Sequence, residues 1–203
     1  MLELAFFSYA AIMSITPGPN NLMLAASGVN YGFRRTLPHL LGITAGVSIQ
    51  LFLVALLLGP ALAWFGFVRK ILAVIGCAYL LWLSWKLARA GQIEAKTVSR
   101  PMTFVQALIF QAVNPKAWIM VINSALLFIP RNINLFLGIS LMCVMFAVVN
   151  LPCVSVWALA GDRLRRLLSA PRALRIFNVS MGALMGITAL YLLVEELLPQ
   201  VIW

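Results

Sequence analysis

The sequence predicts an all-α integral membrane protein with six transmembrane helices, because of its composition and its six long apolar segments. Of its 203 residues, 63% are hydrophobic and 10% are charged, whereas a soluble domain averages about 45–50% apolar and 25% charged residues. A helix needs about 20 residues to cross the hydrocarbon of a bilayer. Strands of a membrane barrel would instead alternate apolar and polar residues. The apolar segments span about 4–29, 37–65, 67–88, 103–129, 133–161 and 176–198.

Three of these segments depart from a plain apolar helix. The first has no charged residue over 4–33, yet it contains the motif "TPGPNN". The third is free of charge only over 71–85. It can span the bilayer if Arg69 and Lys70 extend toward one interface and Lys86, beside two tryptophans, lies at the other. The fourth contains "NPK".

Positive charges set the predicted orientation. The loops after the first, third and fifth segments carry eleven of the fifteen Lys and Arg residues, and the other side carries three. By the positive-inside rule the first set is cytoplasmic, so both termini lie outside the cytoplasm. Because the net charge of +10 lies in loops and not along one face, nucleic acid is not an expected partner. The eleven are Arg34, Arg35, Lys86, Arg89, Lys96, Arg100, Arg163, Arg165, Arg166, Arg172 and Arg175, and the three are Arg69, Lys70 and Arg131.

The chain, 1–203, is predicted to be a single transmembrane transporter domain built from two inverted repeats. Aligning Pro17 with Pro115, an offset of 98 residues, matches the first three segments with the last three. The repeats cover about 1–88 and about 101–203, and a polar cytoplasmic linker of about 89–100 joins them. Three crossings in each half give the halves opposite orientations, as in many secondary transporters.

Each repeat begins with a helix that proline interrupts near the predicted bilayer midplane. Pro17 and Pro19 have no N–H group, so carbonyls one turn earlier lose their helical partners, and Pro115 has the same effect in the fourth segment. Thr16 and Asn114 are good N-cap residues in front of a proline, so we expect a half-helix to restart at each point. Its first N–H groups attract a carboxylate, and the freed carbonyls accept from an ammonium or a water.

The two breaks predict where a substrate binds. Lys116 has at least ten uncharged residues on each side, which favours a role as partner of a substrate carboxylate. Structural interpretations remain open, because proline kinks are common in membrane helices, a lysine can extend to an interface, and amides can form interhelical hydrogen bonds. The predicted substrate-binding residues are Thr16, Pro17, Gly18, Pro19, Asn20, Asn21, Gln50, Gln111, Asn114, Pro115, Lys116 and Asn150.

The other polar side chains favour local roles. Asp162 precedes Arg165 and Arg166 by three and four residues, so a local ion pair is preferred to a role in proton coupling. His39 lies near the cytoplasmic end of the second helix, where an interfacial histidine needs no special role. The three cysteines form no C-x-x-C pair and are typical of packing residues. No metal-binding or nucleotide-binding motif is present, so we expect no metal, no cofactor and no enzyme activity.

Three motifs resemble a known family. "TPGPNN", "NPK" and "WALAGDRLRRL" are similar to those of the lysine exporter and homoserine/threonine resistance family of bacterial amino-acid efflux proteins, along essentially the whole chain. The resemblance implies an inner-membrane exporter coupled to protons, with a homodimer as one candidate assembly. It is greatest to the branch that exports threonine, homoserine, cysteine and O-acetylserine. Lysine exporters have an acidic residue in the second helix, and "LLGITAGVSIQ" has none, which argues against a dibasic substrate.

The expected function is export of a small zwitterionic amino acid. Asp162, Glu195 and Glu196 all lie near helix ends, so a second positive charge on the substrate would have no strong partner inside a span. Two other classes remain open. A membrane thiol–disulfide electron carrier would need cysteines that meet across the two halves, and a passive channel or structural subunit would move no solute uphill.

The charge bias predicts a topology that reporter fusions can test. A reporter fused after Trp203 should be active outside the cytoplasm, and one inserted at 89–100 should be active inside, because eleven positive charges oppose three. A cytoplasmic C-terminus would contradict both the even number of helices and the inverted repeat.

Overall fold

The computed structural model describes residues 2–89, 100–129, 134–167 and 171–197. The predictions for Lys96, most of the 89–100 linker, Arg131 and Trp203 concern positions outside the described residues. The helices within these ranges are α1 (Leu2–Ile15), α2 (Pro19–Tyr31), α3 (Phe33–Arg89), α4 (Phe104–Phe110), α5 (Pro115–Phe128), α6 (Leu135–Leu167) and α7 (Pro171–Leu197), with a 3-10 turn (Gln111–Val113) between α4 and α5.

The prediction of an all-α fold is confirmed for the described part of the chain. Three stretches are long and apolar enough to cross a membrane: Phe33–Leu57, Leu135–Arg165 and Arg172–Val194. A fourth is added if Phe104–Val113 and Pro115–Phe128, bent by 73° relative to each other, form one span. Length and composition therefore support three or four spans, and the arrangement of six spans as an inverted repeat stays a prediction.

Helix α3 differs from the two separate segments predicted at 37–65 and 67–88, because the helix continues through the expected break. It is not straight, however. Gly46 contacts Gln111, and Gly76 contacts Val113. Gln111 and Val113 are only two residues apart in the sequence, whereas the two glycines are thirty residues apart. A straight helix would hold the two glycines about 45 Å apart at 1.5 Å per residue. Helix α3 therefore folds back, and we call residues 33–57 its first arm and residues 71–89 its second arm.

The apolar side chains divide into two buried clusters and an exposed outer surface. One cluster, which includes Val47, Met120 and Phe146, joins α1, the first arm of α3, α5 and α6. The other, which includes Leu80 and Phe110, joins α2, the second arm of α3, α4 and α7. Large apolar residues also cover the outside, as expected for helices whose outer faces contact lipid.

Glycines let α2 and α6 approach to backbone contact. A Cβ on Gly28 would meet the carbonyl oxygen of Ala158, and a Cβ on Gly161 would meet the carbonyl oxygen of Ala25. Small residues at helix contacts are the usual means by which membrane helices pack closely. This contact holds α2, the helix after the first proline break, at a fixed position against α6.

Replacing Gly28 with alanine should destabilise the fold. The added methyl group meets backbone atoms, which cannot move without separating the helices, and overpacking of this kind costs about 1–3 kcal/mol. Gly186→Ala is the matched control, because the nearest neighbour of the added methyl group is a side-chain atom, Ser84 Oγ at 3.0 Å, and not backbone. Melting temperatures of the two purified variants in detergent compare them. A Gly28→Ala protein as stable as Gly186→Ala would contradict the close contact.

Candidate functional site

Two prolines separate α1 from α2. Helix α1 ends at Ile15, and α2 begins at Pro19 with Gly18 as its N-cap in an extended conformation (φ 177°, ψ 178°). The predicted N-cap at Thr16 is therefore wrong. A residue in front of proline is biased away from helical angles, and this applies both to Thr16 and to Gly18, so the helix restarts only at the second proline. No side chain caps α2, which leaves its N-terminus available to a carboxylate.

The second break follows the prediction more closely. Asn114 is the N-cap of α5, and its side-chain oxygen accepts a hydrogen bond from the backbone N–H of Lys116 at 3.2 Å. Pro115 occupies the first position of that helix, where its missing N–H costs nothing. The carbonyl of Gln111, which Pro115 frees, accepts from the backbone N–H of Asn114 at 3.2 Å.

The carbonyls freed at the first break are bound by side chains of this protein. Such groups must be satisfied internally, because lipid offers no hydrogen bonds. The bonds come from three side chains: Thr16 Oγ1 donates to the Met13 carbonyl (3.2 Å), Trp157 Nε1 to that of Ile15 (3.0 Å), and Asn21 Nδ2 to those of Ser14 (2.8 Å) and Thr16 (2.7 Å).

Lys116 connects the two breaks directly. Its Nζ donates to the Thr16 carbonyl at 2.9 Å, to Thr16 Oγ1 at 2.9 Å and to the Pro17 carbonyl at 3.2 Å. An ammonium has three N–H donors, so all three are used. A Cβ on Gly18 would lie 2.7 Å from Lys116 Cδ, which shows that the absence of a side chain there gives the lysine its path. The ammonium thus faces the α1–α2 break.

Amide side chains link the same two segments. Asn20 Nδ2 donates to Gln111 Oε1 at 2.9 Å, and Gln111 Nε2 donates back to Asn20 Oδ1 at 3.2 Å. Asn114 Nδ2 also reaches Gln111 Oε1, at 3.3 Å. The proline motifs of the two predicted repeats, about a hundred residues apart in sequence, therefore form one hydrogen-bonded cluster.

Asn150 of α6 ties the cluster to α1 and to the first arm of α3. Its Nδ2 donates to Ser14 Oγ at 2.9 Å, and its Oδ1 accepts from Thr44 Oγ1 at 2.9 Å. Thus Asn150 is both part of the cluster and an interhelical link. Gln50 lies apart, since it is buried, has no hydrogen-bond partner for either side-chain polar atom and does not line the cavity of this cluster.

A small cavity lies in the middle of this cluster. Its volume of about 20 Å³ is close to the space that one buried water needs, so an amino acid does not fit without movement. Asn21 Oδ1 is buried and has no hydrogen-bond partner. The lining residues are Met13, Ser14, Gly18, Asn20, Asn21, Asn114, Lys116, Ala117, Met120, Asn150 and Val154.

Sequence reasoning missed several members of the site. Ser14, which borders the "TPGPNN" motif, had a local signal because it is a polar residue at the end of an interrupted apolar helix. Thr44 and Trp157 had none, since their partners Asn150 and Ile15 are more than a hundred residues away. Such contacts depend on how the helices pack and leave no pattern in the local sequence.

Two titratable residues need separate description. The side chain of His39 is buried within the protein, at 2% exposed, and neither ring nitrogen has a hydrogen-bond partner, so its position at the membrane interface stays a prediction. Asp162 lies outside the small cavity, at the C-terminal end of α2. There it lies close to Gly32, which has a positive φ of 83°. A Cβ added to Gly32 would lie 3.1 Å from Asp162 Oδ1 and 2.9 Å from Arg165 Nη1. Its role in coupling stays a prediction.

The cysteines are consistent with packing. Cys77 and Cys143 are buried, Cys153 is partly buried, and none of the three forms a disulfide. The part of the chain that the structure describes contains no group of three or more His, Cys, Asp or Glu side chains that could hold a metal ion.

Apolar helices, two proline breaks and a half-buried lysine between them are typical of membrane transport proteins, in which interrupted helices often form the solute site. The LysE type translocator family matches residues 11–196, and the chain belongs to this family. Its members are efflux transporters, so the protein is not an enzyme.

Curated relatives cover most of the chain. The cysteine/O-acetylserine efflux protein of Klebsiella pneumoniae subsp. pneumoniae is 30% identical over 194 residues, which are 94% of this chain and 96% of the relative. Those of Salmonella paratyphi A and Escherichia coli O1:K1 / APEC are each 29% identical, over 82% and 80% of this chain and 85% and 84% of the relative. No solved structure matches the chain.

Proposed function

We propose that this protein exports a small neutral amino acid of the cysteine and O-acetylserine type from the bacterial cytoplasm, across the inner membrane. The observation that carries the proposal is the Lys116 ammonium bound to the carbonyls of Thr16 and Pro17 at the α1–α2 break. Both halves of a zwitterion have a counterpart there. The relatives named as cysteine/O-acetylserine efflux proteins support the substrate class.

Binding would replace hydrogen bonds within the protein by hydrogen bonds to the substrate. In this structure the Lys116 ammonium occupies backbone carbonyls that a substrate ammonium can take over, and the lysine can then turn to the substrate carboxylate. Asn21 Oδ1, buried without a partner at the cavity, is a further acceptor for the incoming ammonium. The uncapped N-terminus of α2 is a further donor to the carboxylate. Because no polar group loses its partner, the exchange has a low cost in a medium of low dielectric constant.

The lining of the small cavity argues against a dibasic substrate. Among its described lining residues it has one cationic side chain, Lys116, and no carboxylate. A zwitterion adds one charge of each sign and leaves the total unchanged. A dibasic amino acid would bring a second cation close to Lys116 without an opposite charge, which is strongly unfavourable at low dielectric constant.

The inverted repeat is part of the proposal, and two contacts support it. Gly18 lies against Lys116, and Ser84 Oγ donates to the Gly182 carbonyl at 2.6 Å. Both pairs are separated by 98 residues, which is the offset between the two proline motifs. Two residues that occupy equivalent positions in the two repeats can touch only if both lie close to the two-fold axis that relates the repeats. Both contacts are therefore consistent with such an axis, and the first of them lies at the candidate site. Six spans follow if each arm of α3, α1 with α2, and α4 with α5 cross the membrane.

Transport itself is tested with a panel of labelled amino acids. Cells or vesicles loaded with cysteine, O-acetylserine, threonine, homoserine or lysine should release one or more of the neutral compounds, and lysine should be retained. We propose that the proton gradient drives export, so a protonophore should stop uphill movement. Release that is indifferent to the gradient would indicate a passive channel.

Replacing Lys116 tests its role in binding. Lys116→Met keeps the length of the side chain and removes the charge, so we expect export to fall by about ten- to a hundredfold, because a hydrogen bond to a charged group contributes about 1.5–3 kcal/mol. Lys116→Arg should restore only part of the rate, since a planar guanidinium does not fit the position of a compact ammonium. Efflux rates normalised to protein in the membrane give the comparison.

Gly18→Ala separates the position of the lysine from its charge. The new methyl group meets Lys116 Cδ and displaces the ammonium from the carbonyls while keeping the charge. Export should fall here as well. Normal export by both Lys116→Met and Gly18→Ala would show that this contact is structural.

The double substitution of Pro17 and Pro19 by alanine tests the break itself. Each alanine restores a backbone N–H that can bond to the carbonyls of Met13 and Ile15, so the helix can close through the gap. The protein should remain folded, with an unchanged or higher melting temperature, and lose export.

A proline that does not interrupt its helix provides the control. Pro152 lies inside α6, which continues past it, so Pro152→Ala should leave export close to the parent rate. If the double alanine variant is stable and exports like Pro152→Ala, the break does not form the binding site.

A further inference from the structure

A second, larger cavity lies on the side of the site where α2 ends. Its volume is about 310 Å³, within the range of pockets that hold small molecules. We call it the vestibule. Helix α2 and the second arm of α3 each contribute one face to its wall, with the helical spacing i, i+3, i+4, i+7 and i+8. These faces are Met23, Ala26, Ser27, Asn30 and Tyr31 on α2, and Tyr79, Trp82, Leu83, Lys86 and Leu87 on α3.

The vestibule and the small cavity border the same helix. Asn20, which lines the small cavity, precedes Met23 by about one helical turn on α2. Phe110 lines neither space and belongs to an apolar layer that borders the vestibule wall at Met23 and Tyr79: it is 2% exposed, and its ring lies 5.6 Å from that of Tyr79. Gln111, the partner of Asn20, directly follows Phe110. Solute that moves along α2 from the vestibule would therefore reach the central cluster after passing this layer.

The charges of the vestibule favour an anionic group. Lys86 and Arg100 line it, and none of the described residues of its wall is acidic. The Lys86 ammonium lies 4.5 Å from the centre of the Trp82 ring, so an aromatic face, and not a carboxylate, holds it in place. A neighbouring cavity of about 450 Å³ shares Arg100 and adds Arg35. The positive charge therefore extends outward from the vestibule.

A buried histidine supplies an independent observation. His39 is part of the vestibule wall, is 2% exposed, and has no hydrogen-bond partner at either ring nitrogen. A buried polar group without a partner is rare in a folded protein and calls for an explanation. A polar solute in the vestibule that reached the ring would supply the missing hydrogen bond, since a neutral imidazole offers one donor and one acceptor.

We propose that the vestibule is a second binding site for the transported amino acid, in which Lys86 and Arg100 hold its carboxylate before it moves past Phe110 to Lys116. This proposal rests on the proposed function for the identity of the solute. The preference for an anion rests only on the vestibule itself. The identity of the solute and the preference for an anion can therefore be tested separately.

The first test measures charge preference and needs no transport. Ala26, on the vestibule wall, is changed to cysteine in a background that lacks Cys77, Cys143 and Cys153, and the protein is placed in lipid nanodiscs, where both sides are accessible. A sulfonate-bearing methanethiosulfonate reagent should modify Ala26→Cys at least several-fold faster than a trimethylammonium-bearing one. Adding Lys86→Gln and Arg100→Gln should remove this preference. Equal rates in the protein that retains both cations would overturn the proposal.

The second test asks whether the amino acid occupies the vestibule. O-acetylserine should slow the modification of Ala26→Cys, and it should still do so after Lys116→Met, which removes only the central site. It should no longer do so after Lys86→Gln with Arg100→Gln. Protection that disappears with Lys116→Met would mean a single central site and would overturn the proposal. If cells that contain the protein export none of the amino acids of the transport panel, the proposed function fails. The preference of the vestibule for an anion is then judged on the first test alone.

Discussion

The need to satisfy backbone carbonyls inside a membrane is the constraint on which this structure depends. A helix that proline interrupts exposes C=O groups, and lipid cannot bind them. Here the Thr16 and Pro17 carbonyls are bound by the Lys116 ammonium, and the Ile15 carbonyl is bound by Trp157. These bonds come from α5 and α6. The first break is therefore stabilised in part by helices that follow it by about a hundred residues or more in the sequence.

The same constraint explains why glycine and small polar residues surround the break. Lys116 reaches the carbonyls along Gly18, where any side chain would meet it. Asn21 uses both of its N–H groups on freed carbonyls and keeps its oxygen unpaired. The site is therefore rich in donors that already have partners and contains one buried acceptor that does not. This imbalance is what an incoming ammonium group would correct.

The sequence predicts the features that depend on local chemistry. Proline without an N–H must interrupt a helix, so both breaks were predictable, and Asn114 caps α5 as its residue type implies. Thr16 was misassigned because two prolines in succession exclude helical angles at both Thr16 and Gly18. The bond between Lys116 and Thr16 joins residues a hundred positions apart, and no local pattern encodes such a distance. A break between two helices was predicted near residue 66, whereas the helix is assigned as continuous over Phe33–Arg89.

In the proposed cycle the central site keeps the same net charge with and without its solute, because a zwitterion adds nothing to the positive charge of Lys116. Moving a charge through the membrane costs about 2.3 kcal/mol per 100 mV, so any effect of membrane potential on loading must come from the protein's own charges or from a coupled ion. Lys116 is anchored on both breaks and not on one mobile element. A rearrangement that exposes the site to the other side must therefore separate the Lys116 ammonium from Thr16, or move both together. A bound substrate carboxylate would favour separation of Lys116 from Thr16, because it gives the ammonium a new partner before its hydrogen bonds to the break are lost.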